Sequence, residues 1–318
     1  MAKPHAPHSG SMQFWPRVRA KRVFARVRAH NENAVDKGPV GFAGYKAGMT
    51  HVTLVDNRKN SLTNGEEISV PVTIIEVPDV FVYGVRSYAH SEDGLRVIGE
   101  KVAKAPKELR RRGPFAKKAV GEVAEKADLL RLLVATKPHE TGTSQKTPNV
   151  FELALGGSLE DQKSYAEDVL GKTINVADAI SPLDLLDAHA ITKGKGFQGP
   201  VKRFGVSLRA SKSEKGRRGP ANLGAWTGNR SYRVAHAGQM GFHTRLDRNK
   251  QVIGIVNVLE IDGGIPGYGQ PKGPVLLIHG SVPGTKRRLI RFTPAVRDVK
   301  TKFTEAPEIV EIATRSQQ

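Results

Sequence analysis

Fifty-nine consecutive residues, Thr192 to Lys250, carry fourteen Lys and Arg, two acids (Glu214 and Asp247) and ten glycines. Such a segment cannot bury enough apolar surface to form a core, and its charges repel one another unless anions come from outside. Whatever fold surrounds it must be assembled from the sequence before and after it. The other biased piece is residues 1–30, with seven Lys and Arg and no Asp or Glu. These two pieces hold the whole net charge of +19, and the rest of the chain balances 29 basic against 29 acidic residues. Excess charge confined to an irregular arm and a tail fits a protein that lies along a polyanion.

A chain of 318 residues suits one large domain or two smaller ones. The absence of cysteine excludes disulfides, thiolate zinc sites and cysteine catalysis, and it fits a reducing compartment. Apolar runs such as Val252 to Val258 are strand-sized and far below the roughly 18 residues that span a bilayer. The N-terminus has Pro and His where a secretory signal needs an apolar core, so no signal peptide is expected. No basic amphipathic helix with a Trp/Phe/Leu face is evident, which favours nucleic acid over an anionic membrane as partner.

In chain order, residues 14–28 alternate arginine with apolar residues at no helical period. The plain reading is a solvated tail. The sharper one is a tail ordered on RNA, with guanidinium groups on phosphates and Phe14 or Trp15 stacked on a base. Val40–Tyr45, Thr50–Asn57, Val70–Val77, Phe81–Tyr88 and Leu95–Glu100 read as short β-branched strands, with turns at Lys46-Ala47-Gly48-Met49 and Asn64-Gly65. Between 103 and 180, Lys107–Arg112 and Phe115–Ala127 favour helix, and Arg131–Lys137 reads as a strand ending at Pro138. Ser158-Leu159-Glu160-Asp161 has the form of an N-cap box opening a helix that closes at Gly171. Strands resume at Leu185–Thr192, Val252–Ile261 and Val275–Ile278. The basic stretch is therefore a hairpin connection grown to functional length. Residues 303–318 read as a polar tail.

Several motifs invite a catalytic or cofactor reading. Ala166–Thr173, AEDVLGKT, satisfies a relaxed phosphate-loop pattern, but it falls at a helix end and carries Glu167 and Asp168, so coincidence is preferred. Gly194, Gly196 and Gly199 have dinucleotide-loop spacing after a strand. Pro200 and the Gly-rich continuation are expected to open no helix, and no carboxylate follows to hold a ribose. Glycines among lysines better suit a backbone pressed against phosphates. His236 and His243 lack a third metal ligand, and hydrogen bonding to bases or phosphates suits them better. No nucleophile elbow or framed carboxylate pair is present, so no enzyme is expected. Trp226, Tyr232 and Phe242, set among arginines where little core exists to receive them, suit stacking on nucleobases.

Four segments carry a resemblance: Ile191-Thr192-Lys193-Gly194-Lys195-Gly196-Phe197-Gln198-Gly199, Leu223-Gly224-Ala225-Trp226, Ala237-Gly238-Gln239-Met240-Gly241-Phe242-His243-Thr244-Arg245 and Gly280-Ser281-Val282-Pro283-Gly284. With Gly41–Thr50 and Pro4–Ser11, they identify the sequence as resembling the universal L-three family of large-subunit ribosomal proteins, in its archaeal form. The resemblance is weakest over 103–180. It implies an α+β, mainly β fold: a translation-protein-type antiparallel β-barrel with an inserted α/β subdomain and long irregular extensions that penetrate rRNA. The expected divisions are a basic extension at 1–38, barrel halves at 39–102 and at 181–191 with 251–295, the insertion at 103–180, the arm at 192–250 and a tail at 296–318.

The resemblance further implies a structural constituent that binds large-subunit rRNA near its 3′ end, acts early in assembly and sends its arm towards the peptidyl-transferase centre. Counting back from Ala237-Gly238-Gln239, Tyr232 stands where eukaryotic members place a tip tryptophan. Residues expected to contact rRNA are Arg17, Arg19, Lys21, Arg22, Arg26 and Arg28 in the tail. In the arm they are Lys193, Lys195, Lys202, Arg203, Arg209, Lys212, Lys215, Arg217, Arg218, Trp226, Arg230, Tyr232, Arg233, His236, Gln239, His243, Arg245, Arg248 and Lys250. Lys286, Arg287 and Arg288 add a smaller basic edge. No catalytic residue, protein-held metal or cofactor is expected beyond Mg or monovalent ions bound through the rRNA. Neighbouring ribosomal proteins are expected partners, with no membrane, no small-molecule substrate and no homo-oligomer. The rival readings are an RNA-directed enzyme, which would need a cofactor loop or catalytic set, and an exchanging RNA chaperone, which high salt would strip.

Overall fold

A computed structural model of the protein describes residues 16–28, 30–31, 35–58, 60–124, 126–212, 216–220, 234–297, 299, 302–303 and 305–314. The chain divides into two compact units. One, here the basic unit, comprises Met1–Val23 and Ile191–Arg245. The other, here the β unit, comprises Phe24–Ala190 and Leu246–Gln318.

The β unit holds two antiparallel sheets. The first contains β1 (Gly38–Pro39), β4 (Val80–Ser91), β5 (Gly94–Val102), β6 (Leu129–Thr136), β7 (Val150–Gly156) and β8 (Thr173–Ile174), in the order β1-β7-β6-β4-β5 with β8 on β4. The second contains β2 (Phe42–Val55), β3 (Glu67–Glu76), β9 (Leu185–Ile191), β12 (Thr244–Val256), β13 (Val275–His279), β14 (Leu289–Pro294) and β15 (Ile309–Ile312). Its order is β14-β9-β12-β13-β3-β2-β15, and β14 also pairs with β2. Hydrogen bonding therefore runs from β14 through five strands and back to β14.

Strands buried on both faces explain the long β-branched runs. Ile74 and Ile75 of β3 and Leu276, Leu277 and Ile278 of β13 are at most 1% exposed. One core cluster draws on both sheets, joining Phe42, Tyr45 and Phe292 to Val82, Leu130 and Leu153. The Tyr45 hydroxyl pairs with Thr136 Oγ1 at 2.8 Å and accepts from Asn149 Nδ2 at 3.0 Å, tying β2 to β6 within that core. Glu76 is the buried charge at the end of β3. Its carboxylate accepts from the amides of Gly142, Lys272 and Gly273 and from the Tyr268 hydroxyl, so two connections, β6–β7 and β12–β13, are fixed to one strand end.

Several elements differ from expectation. Strand β2 runs unbroken through Lys46–Met49, where a turn was expected, and absorbs the irregularity as a register shift against β3 between Lys46 and Gly48. Strand β4 pairs with both β5 and β6, so Val80–Val102 shares one sheet with strands of the expected insertion. Lys107–Arg111 is a 3₁₀ helix. The described residues of Phe115–Ala127 form no helix: Val120 bridges to Val102 by reciprocal bonds of 2.8 and 3.0 Å, because an open sheet edge outweighs local propensity. The expected tail contributes to the fold. Phe303 is 3% exposed, and β15 pairs with β2.

Other expectations hold. β6 stops before Pro138, and Gly65 turns with φ +84°. Ser158 caps α1 (Leu159–Val169) by accepting the Asp161 amide. Ala166–Thr173 runs from the end of that helix into β8, the reverse of the strand-then-helix order that a phosphate loop requires. Among the described residues, no helix is long and apolar enough to cross a membrane.

Candidate nucleic-acid interface

The basic unit is built on a two-stranded ribbon in which β10 (Gly194–Gln198) pairs with β11 (Gly238–Gly241). Gly241 is obligatory at its position. Its φ is +73°, and a Cβ there would lie 2.0 Å from the Lys193 carbonyl oxygen. Directly after β10 comes α2 (Pro200–Phe204), so Pro200 does open a helix, contrary to expectation. Proline at the first turn is preorganised for helix, and Gly205 closes it with φ +70°. One turn-and-a-half of helix on an antiparallel ribbon is still not the βαβ frame of a dinucleotide site.

Arg203 locks this base together. It is 9% exposed, and its guanidinium donates to the carbonyls of Gln239 at 3.1 Å and His236 at 2.8 Å, tying α2 to β11. Arg17 of the N-terminal segment stacks over the Phe204 ring at 4.2 Å and donates to the Arg203 carbonyl at 3.1 Å. The Ala20 amide bonds the Phe242 carbonyl at 2.8 Å, and His243 Nδ1 lies 2.8 Å from the Val18 carbonyl. Arg19 lies over the Phe242 ring at 5.3 Å. The described tail residues 16–23 and the arm base thus form one folded piece, where two separate irregular extensions had been expected.

Charge here has no internal balance. The only acid in residues 1–23 and 191–245 is Glu214, which lies outside the described residues. Burial lowers the pKa of Arg203 and of Arg245, and the nearby Arg17 guanidinium lowers both further. Cations that crowd one another, with carbonyls and aromatic rings as their partners, are a surface that an added polyanion stabilises.

The expected contact residues sort into four groups. Arg19, Lys21, Arg22, Lys193, Lys195, Lys202, Lys212, Arg217, Arg218 and His236 are exposed in the basic unit, as are Arg26, Arg28, Arg248, Lys286 and Arg287 in the β unit. Arg17, Arg209, Gln239, Arg245, Lys250 and Arg288 are half-buried. Lys250 pairs with Asp247 at 3.0 Å, and Arg209 donates to the Pro220 carbonyl. Arg203 and His243 are buried, and they brace the interface from within. Lys215, Trp226, Arg230, Tyr232 and Arg233, like Phe14 and Trp15, lie outside the described residues.

Sequence reasoning passed over Phe197, which is 77% exposed on β10 close in sequence to Lys193 and Lys195. The signal was present: an aromatic residue flanked by Gly-Lys-Gly and Gln-Gly has no apolar neighbour to pack against. An exposed ring on a basic ribbon is a stacking platform for a base.

A family model described as ribosomal protein L3 matches residues 1–120 and 114–318. Among relatives, the protein named large ribosomal subunit protein uL3 from Methanothermobacter thermautotrophicus is 42% identical, with 100% of this chain and 99% of that protein covered. The proteins of the same name from Archaeoglobus fulgidus and Picrophilus torridus are 41% and 40% identical, with 99% or more of each chain covered.

Proposed function

The chain belongs to the ribosomal protein L3 family, and on that premise we propose that its basic unit is an rRNA clamp. It is a structural component of the large ribosomal subunit in the cytoplasm, not an enzyme, with large-subunit rRNA and neighbouring ribosomal proteins as partners. The proposed role is charge neutralisation. Lys and Arg of the joined tail and arm replace counterions, so that rRNA segments pack closely. The observation that carries this reading is a folded unit whose described residues include no acid and whose arginines crowd one another.

Finer elements of the reading follow from the family resemblance. The contact lies near the rRNA 3′ end, incorporation is early, and the arm points to the peptidyl-transferase centre. The pairing path that returns to β14 supports a barrel as the platform. Phe197 joins the contact set as a base-stacking residue.

The test is sedimentation of the tagged protein from cell lysate through a high-salt gradient. Exposed phosphate contacts lose affinity with a log–log slope of roughly −0.7 to −0.9 each, so a peripheral chaperone is stripped. Co-migration with the large subunit is the expected result. Release into the top fractions would overturn the clamp.

A further inference from the structure

Residues 104–118 of the β unit hold seven Lys and Arg against one acid, Glu108, and the clamp uses none of them. All seven cations (Lys104, Lys107, Arg110, Arg111, Arg112, Lys117 and Lys118) are exposed. A charge run of this kind is ordinarily a solvated face whose members pair with nearby acids. Here the acids are in good supply. Outside the run, the β unit has 26 Lys and Arg against 29 Asp and Glu. Yet among the described residues no carboxylate pairs with any of the seven, whereas Arg86 alone engages both Glu100 and Glu152.

The run is also fixed in place. Ala105 and Leu109 are 4% and 1% exposed and belong to a small apolar cluster of their own. Phe115 packs edge-on against Tyr83 with ring centroids 5.4 Å apart, and the Ala105 amide bonds the Ala116 carbonyl. The cations therefore stand in solvent on a backbone that apolar residues hold. A frame ordered before binding loses little entropy when a polyanion arrives.

A cavity of about 320 Å³ opens beside the run, and Leu109, from the 3₁₀ helix Lys107–Arg111, forms part of its wall. Phe81 and Pro148 add apolar surface, while Lys137, His139 and Glu140 supply polar groups. The Glu140 carboxylate lies 3.3 Å from Lys137 Nζ and 3.5 Å from His139 Nε2, so the three side chains form one set. His139 and Glu140 are exposed, which leaves that set open to solvent. The volume is at the lower end of the range for small-ligand pockets. Apolar walls suit the faces of a base, and donors beside an acceptor suit its edge, which is how proteins take up an unstacked nucleotide.

We propose that this face of the β unit is a second RNA site, at which the cations of 104–118 hold phosphates and the cavity receives one unstacked base. The choice of RNA rests on the ribosomal reading above. The surface does not depend on the clamp, because the two share no residue.

The test is photo-crosslinking of the full-length protein to a single-stranded RNA carrying 4-thiouridine, with the joined peptides identified by mass spectrometry. Crosslinks are expected at Phe81 or within residues 137–140, in addition to those of the clamp at Phe197. Changing Arg110, Arg111 and Arg112 together to Gln should cut the β-unit crosslinks by about tenfold or more, through three lost phosphate contacts, and leave those at Phe197 unchanged. Thr173→Trp, on the cavity wall, should lower them by about tenfold, the worth of one stacked base. All four positions are exposed, so these variants keep the fold. Unlabelled RNA should compete the β-unit crosslinks away at least tenfold better than polyglutamate of equal charge. Equal competition by polyglutamate would make the face a site for an acidic protein segment and overturn the RNA site. β-Unit crosslinks that survive the triple substitution would overturn it as well. Crosslinks confined to the basic unit would overturn the second site and leave the clamp standing, and crosslinks confined to the β unit would do the reverse.

Discussion

His30 and His189 make the β unit sensitive to acid. Burial pushes both imidazoles well below the ordinary histidine value near 6.5, to about 3 and about 4. In the unfolded chain they protonate near 6.5, so between that value and their folded values the unfolded state binds more protons. Stability is therefore full above about pH 6.5 and falls as pH drops toward 4, opposite to a histidine whose pKa folding raises. The slope is at most about 1.4 kcal/mol per pH unit for each imidazole, and less where solvent reaches the ring. Asp56, held low chiefly by its hydrogen bond from Arg58, stabilises the fold above about pH 4 and loses that contribution only as pH falls below it. Thermal melting at pH 7, 6, 5 and 4.5 should show a progressive loss that His189→Gln reduces by up to half. An unchanged melting temperature across that range would mean that neither imidazole is buried as described. None of this was legible in the sequence, where the two histidines lie in unrelated segments and nothing marks them as neighbours of Arg291.

At the scale of elements, reading succeeded where one local signal decides the outcome and failed where pairing decides it. Ser158 caps α1 because its side chain alone can reach the Asp161 amide, and the sequence shows both residues. Phe115–Ala127 has the composition of a helix, but residues around Val120 cover the edge of β5, a partner no window of residues reveals. Ile309–Ile312 is four residues long, too short to signal a strand without β2 beside it. Pro200 was misjudged for a local reason: a glycine-rich context suppressed the helix that a proline at its first position favours. What fixes that short helix is Arg203, and Arg203→Met should release it. Losing two hydrogen bonds from a cation to carbonyls, each worth about 1.5–3 kcal/mol, should speed amide exchange in β10 and β11 by tenfold or more. Exchange at Ile75 and Leu277, in the β unit, should not change. Equal exchange at Phe197 and Met240 in both proteins would mean that the ribbon stands without the clamp.

For the whole molecule, the sequence located the charge but not the architecture that carries it. Balanced and unbalanced stretches are visible in the residues alone, and the basic unit follows them closely, taking its members from the tail and the arm. The pairing path does not follow chain order: β1 joins β7, and β14 closes onto β2 across some 240 residues of sequence. Such long-range registers depend on which buried faces fit, not on any local pattern. The separation of a nearly balanced β unit, 33 Lys and Arg against 30 acids, from an acid-poor basic unit predicts that charge and fold can be divided experimentally. Residues 206–235 lie between α2 and β11, stop short of the His236 carbonyl that holds Arg203, and hold seven Lys and Arg against one acid. Replacing them with a short Gly-Ser connection keeps α2, the ribbon and every strand of the β unit. Its melting temperature should stay close to that of the full chain, because no described core residue is removed. RNA affinity should fall, and its log–log salt slope should flatten by up to about 5, at roughly 0.7 for each lost cation–phosphate contact. Incorporation into mature large subunits should fail or be impaired, since the β unit, with 33 Lys and Arg against 30 acids, carries too little excess charge to substitute. Normal mature subunits with an unaltered salt slope would show that the deleted cations meet solvent, and the clamp would then reduce to the ribbon, α2 and the tail.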